Sequence, residues 1–240
     1  MASSQCCENP PTLSPSCGVG SVVQDFGGLR AYVSGDPESK RAVLLASDVY
    51  GFESPNLRKI ADKVAASGFF VVVPDFFFGE PYDANNAERP LSAWLQAHTP
   101  QKGFVDAKSV ITTLKRKGLA AIGAAGFCWG AKVVVELAKS DEIQVGVLLH
   151  PSFVSVDDIK EVNRPIAILG AEVDHLSPPA LLKQFEEILS QKSGIDSFVK
   201  IFPGVAHGWT VRWKVDDNFA VESAEEAHKN MLDWFLKYIE

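Results

Sequence analysis

The pentapeptide Gly126-Phe127-Cys128-Trp129-Gly130 is the feature that most restricts how this chain can fold. An apolar run of β type, residues 120–125, precedes it, and an amphipathic helical pattern, residues 131–138, follows it. The strand period therefore changes to the helix period across a very short connection. Such a tight turn needs flanking positions that are nearly free of side-chain atoms, which glycine provides. Cys128 is then placed at a helix N-terminus, where the helix dipole favours a thiolate.

Apolar runs and helical patterns alternate along the rest of the chain. This alternation predicts the α/β class, with a mostly parallel central sheet and helices on both faces. A small-x-nucleophile-x-small turn between strand and helix is the nucleophile elbow of the α/β-hydrolase fold, here with Cys in place of the usual Ser. Strands are expected at 22–26, 29–34, 41–47, 69–73, 119–125, 145–149, 165–169 and 197–202. Helices are expected at 57–66, over most of 84–118, and at 131–138, 179–189 and 220–238.

Composition restricts the partners. The formal net charge is −7, from 23 Lys and Arg against 30 Asp and Glu. Domains that bind a phosphate backbone carry clustered basic residues, and this chain has only the short run 115–117 at the end of a predicted helix. No apolar stretch reaches the roughly 18 residues of a membrane span. We expect a small-molecule ester or lactone as substrate, no nucleic acid and no membrane, and a monomer or weak homodimer.

The length of 240 residues predicts one α/β-hydrolase domain at 21–240 after a flexible leader at 1–20. The first residues lack the basic and apolar regions of a secretory signal, so a cytoplasmic protein is expected. Cys6, Cys7 and Cys17 lie in the leader and only Cys128 lies in the body, a distribution unlike a disulfide framework. No His pattern at zinc spacing accompanies them, so neither a metal nor a cofactor is expected.

Two further reactive side chains follow predicted strands. Asp174 comes just past one strand, with Glu172 as its rival, and His207 comes just past the next. Active sites of parallel sheets lie at the carboxyl ends of the strands. The order nucleophile, acid, histidine is that of the α/β-hydrolases, and it favours a triad of Cys128, Asp174 and His207.

The triad predicts a thiolate that attacks an ester or lactone carbonyl, with the backbone N–H groups of Trp129 and Val49 as the oxyanion hole. Each residue also has an ordinary structural explanation. A single Cys is often a small buried apolar residue, and Asp174 could cap the helix that follows it. His150 and His175 follow strands as well and are expected to support the site or the fold. His98 and His228 fall on predicted helices and are expected at the surface.

These motifs resemble the dienelactone hydrolase family, which includes carboxymethylenebutenolidases. The resemblance covers most of residues 25–240, and a plant-type cytosolic member is the best match. It implies an α/β-hydrolase fold and a Cys-Asp-His triad at Cys128, Asp174 and His207. The segments that carry it are 48–52 with Pro55-Asn56, 73–77, 126–130 and 207–209.

The resemblance also directs attention to Asp48. Bacterial members have a Glu here, which restrains the resting thiol and accepts its proton; the shorter Asp48 could instead cap nearby loop amides. Those members hold a substrate carboxylate with arginines, for which Arg212 and Arg89 are the candidates here. Residues expected to bind substrate or support the site are Asp48, Tyr50, Phe78, Trp209 and Arg212, and further candidates for the pocket wall are Tyr82, Trp94, Trp129 and Trp213.

Two other classes of function stay open at this point. Some plant proteins with this similarity carry a β-glucanase label, and a glycosidase needs two carboxyl groups about 5–9.5 Å apart, which Asp48 and Asp174 could supply. A non-catalytic small-molecule binder is also compatible, because a fold does not determine a function.

Overall fold

The computed structural model describes residues 4–14 and 16–240. Its centre is one eight-stranded sheet. Except for the first two strands, neighbouring strands run parallel, so the predicted α/β class and mostly parallel sheet are confirmed. The strands are β1 Ser21–Val23, β2 Ala31–Ser34, β3 Arg41–Ala46, β4 Phe70–Pro74, β5 Ala121–Phe127, β6 Val145–Leu149, β7 Ile166–Val173 and β8 Ser197–Ala206. Their order across the sheet is β1-β2-β4-β3-β5-β6-β7-β8, and β2 pairs antiparallel with both β1 and β4.

Seven α-helices connect or flank these strands in the described residues. They are α1 Pro55–Ala65, α2 Leu91–Ala97, α3 Pro100–Arg116, α4 Trp129–Ala138, α5 Val156–Glu161, α6 Pro179–Ser190 and α7 Asn218–Tyr238. Helix α5 was not predicted, although Ser155 and Asp158 form a capping box at its start. A 3-10 helix at Ser4–Cys7 lies within the segment predicted as a leader.

The helices cover both faces of the sheet. Val43 and Leu45 of β3 pack in one apolar cluster with α1 and α7, and Leu44 packs in the other with α3, α4 and α6. Every residue of β4, β5 and β6 is buried, as expected for inner parallel strands covered on both sides. None of the described helices is both long enough and apolar enough to cross a bilayer.

Candidate active site

Cys128 is the single residue between the end of β5 and the start of α4. Its backbone has φ 52° and ψ −108°, a conformation that a residue with a side chain rarely adopts and that costs about 1–3 kcal/mol. The neighbouring glycines are needed for close packing. A Cβ atom on Gly126 would lie 2.2 Å from the Gly130 carbonyl oxygen, and one on Gly130 would lie 2.2 Å from the Ala46 carbonyl oxygen. The sequence thus forms a strained elbow that fixes where the sulfur is presented.

Asp174 directly follows β7, and His207 directly follows β8. His207 Nδ1 lies 2.7 Å from Asp174 Oδ2, and both side chains are fully buried. Asp174 Oδ1 accepts hydrogen bonds from the backbone N–H groups of Leu176 and Ser177, at 2.8 and 3.1 Å. Asp174 therefore binds two loop amides with one oxygen and the imidazole with the other. It does not cap helix α6, which begins at Pro179 without a side-chain cap.

Glu172, the rival acid, lies elsewhere. Its side chain is exposed and accepts a hydrogen bond from Gly204 N at 2.8 Å. Side chains alternate along a strand, so Glu172 and Asp174, two positions apart, would share a side only if the strand stayed regular. The pairing of β7 with β8 shifts between Ala171 and Val173, which changes the register before Asp174.

The electrostatics of His207 depend on Cys128. Burial lowers the pKa of His207, but the charge of Cys128 and the hydrogen bonds with Asp174 and Cys128 outweigh burial and raise the pKa to about 9. Cys128 acts on His207 both through its charge and through a side-chain hydrogen bond, and each raises the pKa of the imidazole.

Ser152 is a site residue that sequence reasoning missed. Its hydroxyl Oγ lies 3.2 Å from Cys128 Sγ, and its N–H donates to the Cys128 carbonyl at 3.1 Å. Ser152 is fully buried and lies three residues past the end of β6, the strand beside β5. The sequence could have pointed to Ser152 because it follows a predicted strand, and the carboxyl ends of adjacent parallel strands meet at one edge of the sheet.

The two predicted oxyanion donors have no hydrogen-bond acceptor among the described residues. They are the backbone N–H groups of Val49 and Trp129. The amides beside them are used, since Tyr50 N donates to Asp48 Oδ1 at 3.0 Å and Gly130 N donates to the Ser47 carbonyl at 3.1 Å. Val49 and Trp129 follow β3 and β5, which are paired neighbours.

Asp48 and Arg212 form a buried ion pair beside the triad. Arg212 Nε lies 3.4 Å from Asp48 Oδ2, and both side chains are almost completely buried. Burial raises the pKa of Asp48, Arg212 lowers it, and Cys128 raises it again, with a net value of about 6. Arg212 also lies 5.7 Å from the centre of the Tyr50 ring. Arg89, the other candidate arginine, instead pairs with Glu80 at the surface at 2.9 Å.

The aromatic candidates separate into different environments. Phe78 is 52% exposed and packs under the Lys102 ammonium group at 3.8 Å, so the structure does not place it in a pocket wall. Trp94 and Trp129 belong to a buried aromatic cluster around Phe77. The neighbour Phe77 therefore fills the interior position, and the positive φ of Phe78, 55°, turns its side chain away.

A cavity of about 290 Å³ adjoins His207. Trp209, Arg212, Trp213 and Asn9 also line it, so it is the natural candidate for a substrate pocket. A groove of about 640 Å³ between Gly27 and helix α3 contains none of the triad residues. Within the described part of the chain, no cluster of three or more His, Cys, Asp or Glu residues is arranged to hold a metal ion.

The other histidines support the site or the fold. His150 is fully buried, with its ring 5.0 Å from that of His207 and its Nε2 2.7 Å from Thr210 Oγ1. Burial holds the pKa of His150 well below its usual range, so it is neutral beside His207. The expectation that His98 and His228 lie at the surface is wrong. Their helix faces turn inward, where the His98 carbonyl accepts from Trp129 Nε1 and His228 Nε2 lies 2.7 Å from the Thr210 carbonyl oxygen.

The strand order and the helices on both faces are those of the α/β-hydrolase fold. The chain superposes on a solved Klebsiella pneumoniae structure, described as a dienelactone hydrolase candidate, with a TM-score of 0.76. The match covers 91% of this chain and 98% of that chain at 18% sequence identity, which shows the fold alone.

The model of the dienelactone hydrolase family matches residues 29–239, and the chain belongs to this family. A carboxymethylenebutenolidase homologue from Xenopus tropicalis is 36% identical over 216 residues, with 88% of each chain covered. A maize protein named endo-1,3;1,4-beta-D-glucanase is 46% identical over 196 residues, which is 80% of this chain but only 63% of the maize protein. Family membership supports a hydrolase that acts on esters or lactones.

Proposed function

We propose that this protein hydrolyses a carboxylic ester or lactone through a thioester on Cys128. The observation that carries the proposal is the strained elbow at Cys128 together with a histidine whose pKa is raised to about 9. Asp174, at 2.7 Å from that histidine, holds the imidazole in the tautomer whose Nε2 is turned to the sulfur.

The reaction begins when the Cys128 thiolate attacks the substrate carbonyl carbon. A C–S bond forms, and the negative charge moves to the carbonyl oxygen, where the N–H groups of Val49 and Trp129 are the donors. Collapse of this intermediate breaks the C–O bond, and the His207 imidazolium gives its proton to the leaving alkoxide. The neutral imidazole then takes a proton from water as the water oxygen attacks the thioester carbonyl carbon. The C–S bond breaks, which releases the carboxylic acid and restores the thiolate beside the imidazolium.

The experiment compares the wild type with Cys128→Ala on p-nitrophenyl esters and lactones. Loss of the nucleophile is expected to lower kcat by at least about 1,000-fold, because the residues of such a triad act as a unit. Cys17→Ala is the matched control, because Cys17 lies outside the site. Its hydrogen bond with Arg58 uses the backbone carbonyl, which the substitution keeps. Activity of Cys128→Ala close to that of the control would refute the thioester mechanism.

A glycosidase is the second candidate, because the name of the maize relative favours it. Both carboxylates that it would use are occupied. Asp174 binds His207 and two loop amides, whereas Asp48 contacts Arg212 and Tyr50 N, and each residue is only 3% exposed. Release of sugar from a mixed-linkage glucan, undiminished in Cys128→Ala, would establish the glycosidase. Ligand binding without turnover of either substrate class would favour a non-catalytic binder.

A further inference from the structure

The segment Gln5–Asn9, here called the strap, lies across the loops that carry the triad. Gln5 is only 5% exposed although it belongs to a polar N-terminal segment. Its Nε2 donates to the Val173 carbonyl at 2.8 Å, and its Oε1 accepts from His175 N at 2.7 Å. The Gln5 amide thus clamps the backbone on both sides of Asp174.

The strap also binds the two other loops of the site through its backbone. The Cys7 carbonyl accepts from the Tyr50 hydroxyl at 2.6 Å, and the Glu8 carbonyl accepts from Arg212 Nη1. Tyr50 lies in the loop after β3 that carries Asp48 and Val49, and Arg212 lies in the segment after β8 that carries His207. Asn9 lines the cavity beside His207.

The nucleophile beneath these loops is buried. Cys128 is 0% exposed, and the His207 side chain is also 0% exposed. A carbonyl carbon must come within about 3–3.5 Å of the sulfur in order to react. Substrate therefore reaches Cys128 only after something moves, and the strap is the one described segment that hydrogen-bonds to all three of these loops at once.

We propose that the three loops form a surface whose occupant is the strap of the same chain, and that the strap must leave before Cys128 can react. Tyr50 and Arg212 bind carbonyl oxygens of the strap backbone, so any ligand that presents oxygen acceptors there competes with it. The inference uses the location of the proposed site but goes beyond its chemistry, because it concerns access to the sulfur.

The test measures how fast iodoacetamide alkylates Cys128 in the intact protein. Digestion with trypsin gives a peptide of residues 118–132 in which Cys128 is the only cysteine, so mass spectrometry follows this site alone. The chains compared are the wild type, a deletion of residues 1–9, and Gln5→Glu, which places a carboxylate oxygen against the Val173 carbonyl. Gln24→Glu, the same change at an exposed position, is the control.

Deletion is expected to speed alkylation by about tenfold or more, which corresponds to about 1.4 kcal/mol of closure. Gln5→Glu should give a smaller increase of about threefold, since it removes one of the few hydrogen bonds of the strap. Gln24→Glu should match the wild type. A synthetic peptide of residues 1–9 that carries Cys6→Ser and Cys7→Ser, so that it does not consume iodoacetamide, should slow alkylation of the deleted chain at millimolar concentration.

Equal alkylation rates in the wild type, the deletion and Gln5→Glu would overturn the proposal. If the deletion lowers the Tm so far that the site is disrupted, Gln5→Glu decides, because it keeps the full chain. The outcome is independent of the ester assay. Faster alkylation of the deletion and Gln5→Glu, without any ester or lactone hydrolysis, would support the strap and refute the proposed function. Hydrolysis with equal alkylation rates in all chains would support the proposed function and refute the strap.

Discussion

Two clusters of charged side chains in this molecule are both largely buried, yet they are built differently. On helices α4 and α5, Asp158 Oδ1 lies 2.6 Å from Lys132 Nζ and 2.8 Å from Lys139 Nζ. The other oxygen of Asp158 accepts from Ser155 N and Oγ, at 2.8 and 2.9 Å. In the candidate active site, Arg212 Nε lies 3.4 Å from Asp48 Oδ2, Tyr50 N donates to Asp48 Oδ1, and His207 adds a weaker electrostatic attraction.

The pKa values follow this difference in the number of partners. Burial raises the pKa of Asp158, but the hydrogen bonds from Lys132, Lys139 and Ser155 reverse this and lower it. For Asp48 burial prevails, and the pKa rises to about 6. A carboxylate with all its partners stabilises the fold, whereas one that is buried without enough of them is kept in a state that can exchange a proton near neutral pH. The comparison teaches that burial raises the pKa of a carboxylate unless enough cationic and hydrogen-bonding partners offset it.

Substitution of His207 tests the reactive side of the comparison and has the largest expected effect. His207→Gln should lower kcat/KM for the best ester by about 1,000-fold, because no group remains to exchange the proton with Cys128. Its free energy of unfolding should also fall at pH 7, because the folded-state pKa of about 9 lies above the ordinary 6.5 and the proton is therefore held more tightly in the folded state. Steady-state kinetics and urea unfolding measure the two effects.

His228→Gln is the control for His207→Gln. His228 is also a buried histidine, bound to the Thr210 carbonyl, and it makes no described contact with the triad. It should lower stability and leave kcat/KM within about threefold of the wild type. If His228→Gln lowered kcat/KM as much as His207→Gln does, the loss of activity would reflect the removal of any buried histidine rather than a part played by His207 in the reaction.

Asp158→Asn tests the structural side. It weakens the contacts with both lysines and the capping box, so the free energy of unfolding should fall by about 2 kcal/mol at pH 7 with kcat/KM unchanged. Because the pKa of Asp158 is lowered in the folded state, this stabilisation is present above the ordinary pKa of 3.8 and is lost only as pH falls below it. Urea unfolding at pH 7 measures the difference.

Asp157→Asn provides the matched comparison for Asp158→Asn. Asp157 is the adjacent residue, with an 83% exposed side chain paired to Lys160 at 2.8 Å. A surface pair of this kind contributes about 0–1 kcal/mol, so stability should hardly change. Equal losses from the two substitutions would show that the α4–α5 network contributes no more than a surface ion pair.

Asp48→Asn tests whether the raised pKa of Asp48 makes the free energy of unfolding depend on pH. The folded protein binds the proton of Asp48 more tightly than the unfolded chain does, because its pKa is about 6 rather than 3.8. This contribution to stability is therefore complete below pH 3.8 and is lost as pH rises through 6. Relative to Asp48→Asn, the wild type should lose about 2 kcal/mol of stability between pH 4 and pH 8.

The exposed carboxylate Asp216 serves as the control for this pH dependence. Urea unfolding of Asp48→Asn and Asp216→Asn across the pH range gives the comparison directly. If the difference in free energy of unfolding between the wild type and Asp48→Asn stayed constant with pH, Asp48 would have the same pKa in the folded and unfolded chains. Its neighbours would then offset the effect of burial.

The sequence predicted the parts of this molecule that depend on local patterns. Strand and helix periods gave the alternating elements, and the glycines around Cys128 gave the elbow, because each is encoded within a few residues. Strand ends were placed too early at β7 and β8, which run on to Val173 and Ala206. Apolar periodicity fades there, while pairing between the two strands continues.

The features that the sequence did not predict depend on contacts between distant residues. Ser152 meets Cys128 because β5 and β6 are adjacent, and Gln5 meets the Asp174 loop across 168 positions of the chain. The burial of the His98 ring follows from its packing against Phe77 and Trp94, at 5.5 and 4.6 Å between ring centres. The contacts of Gln5, Cys7 and Glu8 have no apolar pattern to reveal them, because they use one side-chain amide and two backbone carbonyls.

Ser152→Ala has the smallest expected effect and examines the sulfur itself. The Ser152 hydroxyl lies 3.2 Å from Cys128 Sγ. A single hydrogen bond of this kind contributes about 0.5–1.5 kcal/mol, so kcat/KM should fall by no more than about tenfold. Ser152→Cys restores a weak donor and should recover part of the loss. A loss of about 1,000-fold in Ser152→Ala would give Ser152 a place in the reaction comparable with that of His207. The reactive cluster would then extend beyond the groups whose pKa values are shifted.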